Sequence, residues 1–168
     1  MIGFDISAQA AEFWKEYQDV NDGGIKLNLG DFHAINQQKF DVLLMCDVFE
    51  DVRDPFNFLE LSRMHAHRFV FHIPLDLSAS SFARGTLLIK ARNKVGHIHD
   101  YKKDLALEML RDAGYDIVDW RYTGAPLNSS NQSWMIHFAS FLRRLVYAVN
   151  KNFGVRLLGG ETLLVLAR

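Results

Sequence analysis

Apolar and polar positions are most sharply patterned between Lys39 and Pro74, and the rest of the chain is arranged around that stretch. Phe40 to Met45 is a nearly unbroken apolar run with β-branched and aromatic members, which predicts a strand buried on both faces. An acidic turn follows, carrying Asp47, Glu50, Asp51 and Asp54. Pro55 suits the first turn of a helix, where its missing N–H costs nothing. Phe56, Leu59 and Met64 then fall on one face of that helix. Arg68 to Ile73 is a second apolar run, stopped by Pro74. Strand, helix and strand joined by a short crossover predict two parallel strands of an α/β sheet. Ligands of such sheets sit beyond the carboxyl ends of the strands, which singles out Cys46–Glu50 and Ile73–Asp76.

The flanks repeat the alternation. Ile2–Asp5 is a very short run ending in an acid, and Ser7 is placed to cap a helix over Ala8–Tyr17, with Ala11, Phe13, Trp14 and Tyr17 on its packed face. Asn21 to Gly24 is a turn signal, and Ile25–Leu29 alternates as a half-buried edge strand does, followed by Gly30, Asp31 and Phe32. Beyond Pro74, a hydroxyl-rich loop over Leu75–Lys94 suits either a cover over a site or any exposed loop. Lys102–Ala113 is an amphipathic helix with Leu105, Met109 and Leu110 inward and Gly114 as its stop. A strand is expected over Tyr115–Trp120, an apolar helix over Trp134–Asn150, and a final strand over Glu161–Ala167. The Trp134–Asn150 helix reads as an insertion or lid across the carboxyl end of the sheet.

Composition narrows the function. A length of 168 residues, 49% hydrophobic and 23% charged, fits one globular domain with its own core. A net charge of −1 and the lack of a basic stripe give no case for nucleic acid. One cysteine rules out an internal disulfide framework and a thiolate metal cluster. Neither a signal peptide nor a membrane-length apolar span is visible, so the cytoplasm is the expected compartment. His97, His99 and Asp100 are suitable metal donors, but no second cluster completes a tetrahedral set, and no metal is expected.

Three motifs carry a resemblance. FDVLLMCDVFEDVRDP (40–55) is similar to the fourth-strand motif of class I S-adenosylmethionine-dependent methyltransferases of the small-molecule group, with Asp51 where that family usually has His. GHIHDYKKDLALEMLRDAGYDIVDW (96–120) resembles the segment after the family's fifth strand, and GG-x-x-LLVLAR resembles its usual ending. GFDIS at the start resembles the second-strand motif. The resemblance implies a Rossmann-like α/β sheet, mostly parallel with an antiparallel last strand. It implies S-adenosylmethionine as cofactor and a small-molecule acceptor. Asp5 would be the ribose ligand, Ile6 would lie against the adenine, Asp31 and Phe32 would meet the adenine edge, and Cys46 and Asp47 would lie near the methionine part. His72, His97 and His99 are the candidates for a catalytic base.

The family's first strand and its Gly-rich E/D-x-G-x-G turn are missing from this chain. In the family's strand order, 3-2-1-4-5-7-6, that strand is central, and each buried backbone group left unpaired costs roughly 1–3 kcal/mol. An N-terminally truncated domain is the expectation, or a partner chain or second copy that completes the sheet, with poor cofactor binding by the chain alone. The alternative function is a non-catalytic methyltransferase-like remnant or partner subunit that associates through the 134–150 helix.

Overall fold

A computed structural model describes residues 1–18, 26–83, 85, 89, 92–93, 98–124 and 146–168. The chain divides into two compact units, Met1–Lys39 and Phe40–Arg168, each taken here by itself.

In the first unit, β1 (Ile2–Asp5) and β2 (Lys26–Leu29) pair in parallel, with Asp5 opposite Leu29. Helix α1 (Ala8–Gln18) joins the strands' two halves of the sequence, and α2 (Phe32–Ile35) follows β2. Phe13, expected on the packed face of α1, is exposed, whereas Ala11 and Trp14 are half-buried. A two-stranded sheet offers too little apolar surface to cover every aromatic of the helix that follows it.

The second unit is a four-stranded sheet in the order β3 (Phe40–Cys46), β4 (Ala66–Pro74), β6 (Glu161–Ala167), β5 (Ile117–Gly124). β3 and β4 are parallel, and β6 runs antiparallel to both β4 and β5. The order within this sheet, with its antiparallel β6 between β4 and β5, is the one the resemblance implies for its last four strands. Period-two alternation sends Phe69, Phe71, Ile73, Leu163, Val165 and Ala167 to one face, where all are buried. Leu59 of α3 (Pro55–Ser62) and Ala106, Leu107 and Leu110 of α5 (Lys103–Asp112) close the core with them, and a short helix, α4 (Ala79–Ala83), interrupts the stretch expected as a loop. Tyr115 sets its ring edge-on to Phe69 and Phe71 and donates its hydroxyl to the Leu59 carbonyl at 2.7 Å.

The opposite face is less covered. Val42 and Leu44 are 49% and 59% exposed, so β3 is not the doubly buried strand its apolar run predicts. It is an edge strand of its sheet, and only its Met45 side reaches the core. Phe56 and Met64 are likewise exposed: Leu59 alone of the predicted trio is buried, because the helix ends at Ser62 and a 3-10 turn, Arg63–His65, carries Met64 outward. In α5 the inward residues are Ala106, Leu107 and Leu110, while Leu105 is exposed. Tyr115 precedes β5 instead of opening it.

Near the end of the chain, α6 (Lys151–Leu158) is a separate helix, capped by Asn150, whose side chain accepts from the Phe153 N–H at 3.0 Å. Residues 146–149 are helical, Asn150 ends that stretch as the cap of α6, and residues 134–145 of the expected 134–150 helix lie outside the described residues. Gly159 ends α6 at φ +65, and a Cβ there would meet Ser78 Oγ at 2.8 Å. No described helix is long and apolar enough to cross a membrane.

Candidate active site

Within the first unit, the carboxyl ends of β1 and β2 lie side by side, tied by the Gly30 N–H donating to the Asp5 carbonyl at 2.8 Å. Asp5 Oδ1 accepts from the Ser7 N–H at 2.7 Å, which turns the chain into α1. Asp31 Oδ1 accepts from the His33 N–H at 2.9 Å and so caps α2. Phe32 packs edge-on against Phe4, with ring centroids 5.0 Å apart, and Ile6 is 73% exposed. Asp5, Ile6, Asp31 and Phe32 thus converge on one end of one sheet.

Within the second unit, three loops meet beyond the carboxyl ends of β3 and β4. The Ile98 and His99 N–H groups both donate to the Glu50 carbonyl, and the Leu77 N–H donates to the Tyr101 carbonyl. These bonds fix the acidic turn, the loop after β4 and the segment before α5 to each other. Glu50 is fully buried, unlike its acidic neighbours in the turn. Asp54 accepts from the Asn57 N–H at 3.0 Å and caps α3.

At the mouth of this arrangement stands a pair that sequence separation conceals. Cys46 and His72 are register partners across β3 and β4. The next residue, Asp47, adopts φ +50, is held there by its N–H donating to the His72 carbonyl at 3.0 Å, and places Oδ1 2.8 Å from His72 Nδ1. Asp tolerates the left-handed region better than most residues, yet the conformation is costly enough to mark the corner. A carboxylate accepts only, so in this contact the proton lies on His72 Nδ1. Both side chains reach solvent, His72 at 30% and Asp47 at 52% exposure.

Burial first, then the charges of Asp47 and Glu50, push the Cys46 thiol pKa up. Cys46 therefore stays a neutral thiol. His99 Nε2 lies 3.1 Å from the Val52 carbonyl and, with its backbone bond to Glu50, fastens the loop. His97 lies outside the described residues. Among the described residues no group of three His, Cys, Asp or Glu side chains could hold a metal ion. A cleft of about 270 Å³ opens just past β4, lined by Leu77, Ser78, Ala79, Phe82, Lys102 and Arg156. Arg156 is held by Asp104 at 2.6 Å, and the Ser80 hydroxyl donates to the Leu158 carbonyl at 3.0 Å, which ties the loop to α6. Leu77, Ser78, Ala79 and Phe82 belong to the Leu75–Lys94 stretch expected as a cover or an exposed loop, whereas Lys102 and Arg156 did not stand out, because only the fold brings their segments beside it.

Neither protein-family models nor curated proteins give a match to the chain. Solved structures do. A structure assigned as a methyltransferase from Bacillus halodurans matches with a TM-score of 0.65 at 13% identity, over 99% of this chain and 81% of that one. Magnesium protoporphyrin IX methyltransferase from Synechocystis PCC 6803, with bound S-adenosylhomocysteine, matches with a TM-score of 0.59 at 14% identity, over 99% and 63%. A S-adenosylmethionine-dependent methyltransferase from Archaeoglobus fulgidus matches with a TM-score of 0.58 at 15% identity, over 99% and 74%. The chain has the fold of the class I S-adenosylmethionine-dependent methyltransferases.

Proposed function

We propose that this chain transfers the methyl group of S-adenosylmethionine to a small-molecule acceptor. The observation that carries the reading is the placement of Asp5 beside Asp31 and Phe32 at the carboxyl ends of two parallel strands, in a fold shared with such enzymes. The donor set fits an adenosyl group. Asp5 spends Oδ1 on the Ser7 N–H and has Oδ2 to offer a ribose diol. Exposed Ile6 offers apolar surface to the adenine, and Asp31 with the Phe32 N–H reads its edge. The resemblance assigns Cys46 and Asp47 to the methionine part.

When bound, S-adenosylmethionine supplies a methyl carbon activated by a sulfonium. The chain's own part is to hold an acceptor in line with that carbon, which accounts for much of the rate of such transfers. The cleft past β4, with Leu77, Ala79 and Phe82 as apolar lining and Lys102 beside them, is the candidate place for part of that acceptor. The Cys46 thiol, kept protonated, does not compete for the methyl group.

Isothermal titration with S-adenosylmethionine and S-adenosylhomocysteine tests the reading. One site per chain is expected. Asp5→Ala is expected to weaken it at least tenfold, about 1.4 kcal/mol. Equal heats for the two proteins would contradict it.

A further inference from the structure

We propose that the cleft past β4 binds an amphiphilic anion, a small molecule with an apolar body and a carboxylate. The binding stands on residues of the second unit alone. That the bound molecule is the acceptor rests on the methyl-transfer reading, which the proposal deepens by naming a class. Three observations carry it. The first is the apolar lining by Leu77, Ala79 and Phe82, of which Phe82 is 78% exposed. An aromatic ring left that open beside a cleft has apolar surface for a ligand to cover. The second is the sign of the charge: Lys102 and Arg156 line the cleft, and no acid lines it among the described residues. The third is that its neutral polar groups are already engaged. The Ser78 hydroxyl donates to Ser81 Oγ at 3.2 Å and accepts from the Ser81 N–H at 3.1 Å. The Ser78 N–H donates to the same Ser81 Oγ at 2.8 Å, and the Leu77 N–H is taken by the Tyr101 carbonyl.

The side-chain polar capacity that remains is cationic and donor-only, because neither lysine nor arginine can accept a hydrogen bond. Among the described residues the Lys102 ammonium has no partner, and its side chain does not cap α5. Arg156 donates Nη2–H to Asp104 Oδ2 at 2.6 Å, which engages one part of its guanidinium and leaves other N–H groups to offer. A neutral ligand gains only the apolar contact, and a cation meets repulsion from Lys102. An anion whose body lies on Phe82 and whose carboxylate meets Lys102 satisfies both parts of the lining. Ion pairs open to solvent are weak, so the apolar body sets most of the affinity and the charge sets the class.

Amide ¹H–¹⁵N shifts of the full chain at low salt, titrated separately with octanoate, octanol and octylamine, test the proposal. Octanoate is expected to give saturable shifts at Leu77, Ser78, Ala79 and Phe82, with an affinity several-fold above that of octanol and octylamine. Lys102→Gln is expected to lower the octanoate affinity several-fold and to leave octanol unchanged, whereas Phe82→Ser is expected to weaken both. Asp104→Asn removes the charge that holds Arg156 and is expected to strengthen octanoate binding, a gain that damage to the fold does not produce. An octanoate affinity no higher than that of octanol, or one indifferent to both charge substitutions, overturns the proposal. So do octanoate shifts confined to other parts of the chain. If octanoate binds as expected while S-adenosylhomocysteine does not bind, the methyl-transfer reading falls and the anion site stands. If S-adenosylhomocysteine binds and octanoate does not, the anion site falls and the methyl-transfer reading stands.

Discussion

Tyr101 shows how one buried acid shapes its surroundings. Its ring is 7% exposed and lies edge-on to Phe49, and its hydroxyl donates to Met109 Sδ at 3.2 Å. Burial first, and the Glu50 carboxylate second, push its pKa up to about 12. A phenol whose folded pKa is raised stabilises the fold fully below its unfolded value of about 10, and that contribution is lost as pH climbs from there through about 12. Stability to urea is therefore expected to fall between those pH values, and less so in Tyr101→Phe. An identical alkaline fall in both proteins would contradict the assignment. At this scale the sequence made Asp5, Asp31, Asp47 and His72 visible as types of residue, but not as partners. Asp47 and His72 are 25 positions apart, and only the pairing of Cys46 with His72 brings them within hydrogen-bond distance.

Among the elements, strands were more legible than helix faces. Glu161–Ala167 is a strand over the whole predicted range, and β4 extends only slightly beyond its apolar run. Helix faces were less legible because neighbouring apolar positions leave the phase of the helix open. In α5 the core takes Ala106, Leu107 and Leu110, one face at i, i+1 and i+4, and Leu105 falls to its side. The expected helix stops at Asn150, and Gly154 interrupts the short pattern that follows, so α6 has no clear signal of its own. Asn150 is its cap: the side chain accepts from the Phe153 N–H, and Gly159 ends the helix nine residues after Asn150. Replacing Asn150 by Ala should cost about 1 kcal/mol, measured as a lowered urea midpoint with unchanged slope. No loss of stability would mean that the cap contributes nothing to holding α6.

For the molecule as a whole, hydrophobic periodicity gave an α/β sheet but not its order. The insertion of β6 between β4 and β5, antiparallel to both, follows from no local pattern, since its pairs with β4 join residues 88 to 98 positions apart, from Pro74↔Thr162 to Phe69↔Ala167. The family resemblance supplied it, and each of the two sheets agrees with it. The function proposed here depends on an adenosyl ligand being held by the carboxyl ends of β1 and β2. Amide ¹H–¹⁵N shifts of the full chain titrated with S-adenosylhomocysteine test this directly, even where binding is weak. Saturable shifts at Asp5, Ile6, Asp31 and Phe32 are predicted. An unshifted spectrum at saturating ligand, or shifts confined to other parts of the chain, would contradict the account.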